Sequence, residues 1–375
     1  MERGNPRARQ LRDADRLVAV RQFEHLTPAR GESLFERLPE PVEAWADRQL
    51  LAMALGATLY TPATRIDYAE RLPRLSRLGL TSSVLCLEDA ISDADVDRAE
   101  RNVVFQLSAL HRRSAKTPLV FVRVRHPDQV LSLVKGLDDA AAALCGFVFP
   151  KFSAGHGRDY LDALREARAL TGLPLYAMPV LETPTVMHTE TRVAELLAIR
   201  ALLSDAAESV LAVRVGATDL CGIFGLRRPR DLTVYDIAVV RAAIADIVNI
   251  FARDDEFTVS GPVWEHFSDN LDGLMREVTL DKATGIVGKT VIHPSHVRPV
   301  HALYAVSAEE FADAQAVLDA PPGGGVRPSP YANKMIESRP HARWARLTMR
   351  RARVYGVLRP GRSGGDLLDA EDATA

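Results

Sequence analysis

Cysteine is scarce: 375 residues hold three, Cys86, Cys145 and Cys221, far apart and in no CxxC pair. That excludes a disulfide framework and a zinc knuckle, and it suits a reducing cytoplasm. Long apolar runs are also missing, since none reaches the roughly 18 residues of a membrane-crossing helix. The first ten residues are polar and lead into no apolar signal core. Charge of one sign is lacking too: 47 Lys and Arg stand against 49 Asp and Glu, for a net charge of −2. Nothing in that balance favours nucleic acid or a membrane surface as a partner. No repeat of roughly 20–50 residues points to a solenoid.

What is there is ordinary for a globular chain, with 47% hydrophobic and 26% charged residues. The length admits one α/β barrel with extensions as well as two domains. Short β-rich runs recur at Ala57–Thr61, Ser83–Leu87, Leu119–Val124, Gly146–Pro150, Pro174–Val180, Val210–Val215, Phe257–Ser260 and Gly285–Pro294. Leu119–Val124 is almost continuously apolar, as a parallel strand buried on both faces requires. Helical spacing fills the gaps: residues 67–78, 93–113, 129–143, 158–170, 186–203, 234–251, 269–282 and 297–318. Eight strands alternating with helices predict a (β/α)8 TIM barrel over residues 56–320. Residues 1–55 read as a charged, helical or loose extension. Residues 321–375 read as a Gly-rich break, a basic helical tail over Tyr331–Leu358 and disorder from Arg362 onward.

The polar residues fall at the strand ends. Met178–Pro184 ends in Glu182, and the next strand ends in the turn Gly216-Ala-Thr-Asp219. A β-α-β unit sets such strands side by side, about 4.8 Å apart, so both carboxylates reach the C-terminal end of the sheet. There they could share one divalent cation. Two carboxylates plus water and substrate oxygens suit Mg²⁺, with Mn²⁺ as an alternative. Glu88, Asp89, Arg123, Arg125, Lys151 and His293 sit at or just past other strand ends, where barrel loops converge. Arg123 has the planar fork that binds a carboxylate or oxyanion. Metal plus arginine suits reactions that pass through an enolate. Each of these residues also has a structural reading, because a carboxylate at a strand end often caps the next helix. Arg227, Arg228 and Arg230, on the loop Gly216–Asp231, either close over an anionic substrate or form a solvated basic loop. His293 and His296 straddle a proline, which disfavours a zinc site. Cys221 reads as a buried thiol rather than a nucleophile.

Six of these stretches, in order, resemble the motifs of the citrate lyase β-subunit-like group of the HpcH/HpaI aldolase superfamily. They are Leu87-Glu-Asp-Ala90, Val122-Arg-Val124, Pro150-Lys151, Leu181-Glu-Thr-Pro184, Gly216-Ala-Thr-Asp-Leu220 and Gly288-Lys-Thr-Val-Ile-His-Pro294. A narrower resemblance is to a subgroup described as a C–C bond lyase of the TIM-barrel fold, found with tellurium-resistance and stress gene clusters. Ala54–Tyr60, Gly225-Leu-Arg-Arg228, Gly261-Pro-Val-Trp-Glu265 and Asn333-Lys-Met335 carry it. The resemblance implies a Mg²⁺-dependent lyase or aldolase and a homo-oligomer, trimer or hexamer. It implies metal on Glu182 and Asp219 and Arg123 at the substrate. Two departures stand out: Cys86 replaces the first acid of the Glu88 motif, and Arg125 replaces an asparagine.

The expected substrate is a small anionic 2-oxo or hydroxy acid, with phosphorylation favoured by the added arginines. The expected roles are catalytic for Arg123, Glu88, Asp89 and Lys151, and substrate-binding for Arg123, Arg125, Arg227, Arg228 and His293. Two other readings stay open: a non-catalytic ligand-sensing or assembly subunit of a stress-response complex, and phosphoryl transfer or hydrolysis on the same metal site.

Overall fold

The computed structural model describes residues 19–113, 116–267, 270–321 and 325–369. Eight parallel strands close into a barrel: β1 (Ala57–Pro62), β2 (Ser82–Cys86), β3 (Leu119–Arg123), β4 (Gly146–Phe149), β5 (Tyr176–Leu181), β6 (Val213–Val215), β7 (Val259–Val263) and β8 (Lys289–Val291). Each pairs with its neighbour in sequence, and β8 returns to β1 through Lys289 opposite Ala57. The helices between them are α1 (Tyr68–Arg77), α2 (Val96–Arg113), α3 (Asp128–Leu137), α4 (Gly157–Thr171), α5 (Thr189–Ser204), α6 (Ala238–Phe251), α7 (Leu271–Thr284) and α8 (Val297–Tyr304). This is the TIM barrel that the alternation predicts. Strand burial explains the pattern. In β3, Leu119 to Val122 are buried between the barrel interior and the helices, and only Arg123 at its end is partly open.

Several elements differ from expectation. The eighth strand spans three residues rather than the whole of Gly285–Pro294. Gly285 and Gly288 take positive φ and turn the chain before Lys289. The last predicted helix is two helices, α8 and α9 (Ala308–Leu318), with Ser307 capping the second through Glu310 N–H. The third predicted helix stops at Leu137, because Asp138 has φ +49 and a 3-10 turn follows.

The extensions are more ordered than the sequence suggests. Phe35–Arg37 pairs antiparallel with Val357–Leu358, so the described parts of the two extensions meet. Helix Arg48–Ala54, capped by Asp47, closes the N-terminal end of the barrel. Arg48 donates to the carbonyls of Val210 and Glu256 at 2.9 and 2.8 Å, each just ahead of β6 and β7. Gly56, at φ +56, fits under His301, whose Nε2 would lie 2.4 Å from a Cβ there. That ring accepts the Ala57 N–H at 3.0 Å. The tail is a two-stranded ribbon, Val326–Pro328 with Met335–Glu337, followed by α10 (Ser338–Tyr355). Arg362 to Asp369, read as disordered, instead contains a short helix that Ser363 and Asp366 cap reciprocally. The rest of that expected disorder, the expected helix start at Asp269, residues 322–324 of the Gly-rich break, and residues 1–18 of the first extension lie outside the described residues. No helix among the described residues is long and apolar enough to cross a membrane.

Candidate active site

The C-terminal mouth of the barrel gathers six of the predicted residues. Each gets there by a local device. Glu88 and Asp89 follow β2, and Arg123 ends β3. Lys151 follows β4 with φ +47, a left-handed backbone uncommon outside glycine. That turn aims its N–H at Glu182 Oε1, 2.9 Å away. Glu182 follows β5, and Asp219 lies in the first turn of a short helix, Ala217–Gly222, after β6. Gly216 makes room: a Cβ there would come within 2.0 Å of Glu182 Oε2.

The charges interlock. Glu88 takes both Arg123 and Lys151 as ion-pair partners. Arg123 also reaches Asp89 at 3.2 Å and donates to Cys86 Sγ at 3.1 Å. Cys86, in place of an acid, thus still accepts from the arginine, as a weaker acceptor. Lys151 Nζ lies 3.3 Å from Asp89 and 3.7 Å from Asp219. Burial, and then the facing charge of Asp219, pushes the Glu182 carboxyl up to about 7. Burial and a hydrogen bond with Asp89 raise Glu88. Burial would raise Asp89 as well, but Glu88, Arg123 and Lys151 pull it below its ordinary value. Burial works against the Lys151 ammonium, yet its three carboxylate neighbours raise it.

Two joined cavities open here. The inner one, about 260 Å³, is lined by Tyr60, Arg123, Glu182, Arg214 and Thr290 among others. The outer one, about 1010 Å³, spreads over Lys151, His156, Thr183 and Asp219. Both are lined by Asp89, Glu182 and Asp219.

Three predicted substrate residues are used differently. Arg228 is buried and turned away, bonded to Glu277 at 2.7 and 3.0 Å and stacked on Trp264 at 4.7 Å. A cation so paired is spent on structure, which corrects its expected place at an anion. Arg125 braces the acidic loop instead: it donates to the carbonyls of Leu87 and Ile91 at 2.7 and 3.0 Å and pairs with Asp93. His293 caps a 3-10 turn, its Nδ1 2.7 Å from Ser295 Oγ. Arg227 is exposed on the loop after β6. Cys221 is buried, and burial raises its thiol. One residue that sequence reasoning passed over is Arg214, fully buried in β6 and lining the inner cavity. A lone charge inside an apolar strand was the available signal.

A closed parallel barrel with charged groups at its C-terminal mouth defines the class, a TIM-barrel enzyme. The particular family follows from residues 49–357, which match the model described as the C-C bond lyase of the TIM-barrel fold; the chain belongs to that family. It is 27% identical over 271 residues to a citrate lyase subunit beta-like protein of Deinococcus radiodurans, covering 71% of this chain and 85% of that one. Among solved structures, a citrate lyase from Burkholderia xenovorans aligns with TM-score 0.62 at 17% identity, covering 84% of this chain and 96% of the other. The protein CitE from Mycobacterium tuberculosis, in complex with magnesium, acetoacetate and coenzyme A, aligns with TM-score 0.55 at 22% identity, covering 80% and 99%. At those identities the structural matches show the shared fold.

The donor set fits a hard divalent ion. Glu182 and Asp219 face each other closely enough to repel, and one of them is buried. Among the described residues no group of three or more His, Cys, Asp or Glu forms a closed metal cage. An open pair of carboxylates, leaving positions for water and substrate, matches Mg²⁺ rather than structural zinc.

Proposed function

We propose that this protein is a Mg²⁺-dependent carbon–carbon bond lyase or aldolase acting on a small anionic 2-oxo or hydroxy acid. The observation that carries this reading is the buried Glu182 carboxylate apposed to Asp219, in one cavity with Arg123. Glu182 and Asp219 would hold the ion, Mg²⁺ or Mn²⁺, which when bound supplies Lewis-acid stabilisation of a developing negative oxygen. Arg123, which lines the same cavity, would donate to that oxygen. In the cleavage direction, the hydroxyl proton of the substrate passes to a carboxylate of the Glu88–Asp89 pair. The C–C bond breaks, its electron pair enters the enolate, and the hydroxyl oxygen becomes a carbonyl. The proton then returns to the enolate carbon. Lys151 keeps Glu88, Asp89 and Asp219 oriented between these steps.

Membership of the lyase family and the magnesium in the CitE complex support this reading. The acidic metabolite is the expected partner, in a homo-oligomer working in the cytoplasm. The test is turnover of a panel of 2-oxo and hydroxy acids, assayed for carbonyl product with Mg²⁺ and with EDTA. Mg²⁺-dependent cleavage lost in Glu182→Gln is expected. Cleavage that survives EDTA and that substitution would contradict the proposal. Release of phosphate without a carbonyl product would favour phosphoryl transfer instead.

A further inference from the structure

Arg214 is 1% exposed and lies between apolar neighbours in β6. Buried cations are normally paired with a carboxylate, because desolvating a lone charge is costly. Arg228, equally buried, obeys that rule through Glu277. Arg214 does not. Among the described residues its hydrogen bonds go to Thr290 Oγ1 at 2.7 Å and to Met178 Sδ at 3.6 Å, a neutral hydroxyl and a weak sulfur acceptor. No carboxylate among the described residues forms an ion pair with it. Its guanidinium lies 5.6 Å from the Tyr60 ring centre, and that of Arg123 lies 5.9 Å from the same ring.

Other features point the same way. Arg214 lines the inner cavity together with Arg123 and Glu182. Ser260, level with Arg214 in the β6–β7 register, has a buried hydroxyl without a hydrogen-bond partner. The cavity, about 260 Å³, is below the usual size for a drug-sized ligand and suits a small molecule. A guanidinium with spare donors, facing such a cavity without a counter-ion, is a built anion site.

We infer that Arg214 holds a second acidic group of the substrate at the floor of the barrel, so that the site selects small dianionic acids. This rests on the function proposed above, with the first acidic end at the Glu182–Asp219 pair and Arg123. One end of the substrate is then fixed at the mouth and the other beside Thr290, which stretches the molecule across the reacting bond.

Calorimetric titration with lactate, malate and 3-phosphoglycerate, with and without Mg²⁺, tests it in the whole chain. The wild type is expected to bind at least one of malate and 3-phosphoglycerate, which carry a second acidic group, more tightly than lactate. Arg214→Met should remove that advantage, about 10- to 100-fold for a charge-assisted contact, and leave lactate binding unchanged. The acid that loses its advantage shows whether the second group is carboxylate or phosphate. The melting temperature of Arg214→Met should hold or rise, since an apolar side chain of similar volume relieves a buried charge. Arg214→Lys, a cation without the fork, should keep only part of the advantage. The inference is overturned if the wild type shows no dianion preference or if Arg214→Met retains it. It is also overturned if Arg214→Met unfolds while Arg214→Lys keeps the full advantage. The metal reading fails separately: Glu182→Gln would then bind malate as the wild type does, Mg²⁺ making no difference, while Arg214→Met still loses the preference.

Discussion

Between β8 and α7, Arg228, Lys289, Glu277 and Asp281 meet as two cations and two anions, all essentially without solvent. At the mouth, the carboxylates of Glu88, Asp89, Glu182 and Asp219 share two cations, Arg123 and Lys151, and several of the six are open to solvent. The first cluster balances. Lys289 Nζ touches Glu277 at 2.9 Å and Asp281 at 2.7 Å, and Tyr235 donates to Asp281 at 2.6 Å. The second is left with an excess of negative charge, the complement of a divalent cation. The same residue types therefore serve two ends. Where every charge is matched and sealed, the cluster holds α7 to the barrel. Where charges are unmatched and face a cavity, they await a ligand.

The largest effect should come from the unmatched side. Glu182→Gln and Asp219→Asn should each lower turnover about 1000-fold or more, equivalent to roughly 4 kcal/mol of barrier, with the fold intact by circular dichroism. Next comes the matched side. Lys289→Met leaves Asp281 without a cation and Glu277 with Arg228 alone, and should cost about 3–5 kcal/mol in urea unfolding. Arg214→Met, the same kind of change at an unmatched buried cation, should cost nothing. If both variants lose stability alike, the distinction between matched and unmatched clusters breaks.

The closed end of the barrel offers a smaller test, through pH. Burial, then the charge of Arg298, holds His25 down at about 4, and burial holds His301 at about 3. Both stay neutral in the folded chain while an unfolded histidine protonates near 6.5. Their contribution is complete above that pH and is lost as pH falls toward 4, because the unfolded state then binds more protons. Asp281, which burial raises to about 6, works in the opposite sense below pH 6. The comparison must therefore be a difference. Between pH 6.5 and 4 the wild type should lose up to about 3 kcal/mol more than His25→Asn. The smallest effect is expected at Arg227, which is exposed. Arg227→Ala should change stability by less than about 0.5 kcal/mol, and a loss of substrate affinity at that unchanged stability would place it over the substrate.

The sequence made the barrel legible because each strand is a short apolar run stopped by a charged or turn residue. The mouth was legible for the same reason: Glu88, Arg123, Lys151, Glu182 and Asp219 stand where those runs end. Residues whose partners are remote in sequence were harder to read. Arg228 looked like a loop cation, and only the fold brings Glu277, 49 positions on, against it. Arg125 looked like an anion binder, but its partners are backbone carbonyls of the preceding loop and the Asp93 carboxylate. Arg214 was hidden by its setting, since apolar periodicity counts a strand and overlooks the one charge within it. The pairing of Phe35–Arg37 with Val357–Leu358 joins segments with no local signal for each other.

The central claim is that Glu182 and Asp219 form a divalent-cation site. Titration of Mn²⁺ into the protein, followed by its electron paramagnetic resonance signal and competed with Mg²⁺, tests it most directly. The account predicts one displaceable ion per chain in the wild type and none in Glu182→Gln or Asp219→Asn at unchanged melting temperature. Equal ion binding by the wild type and both variants would contradict it.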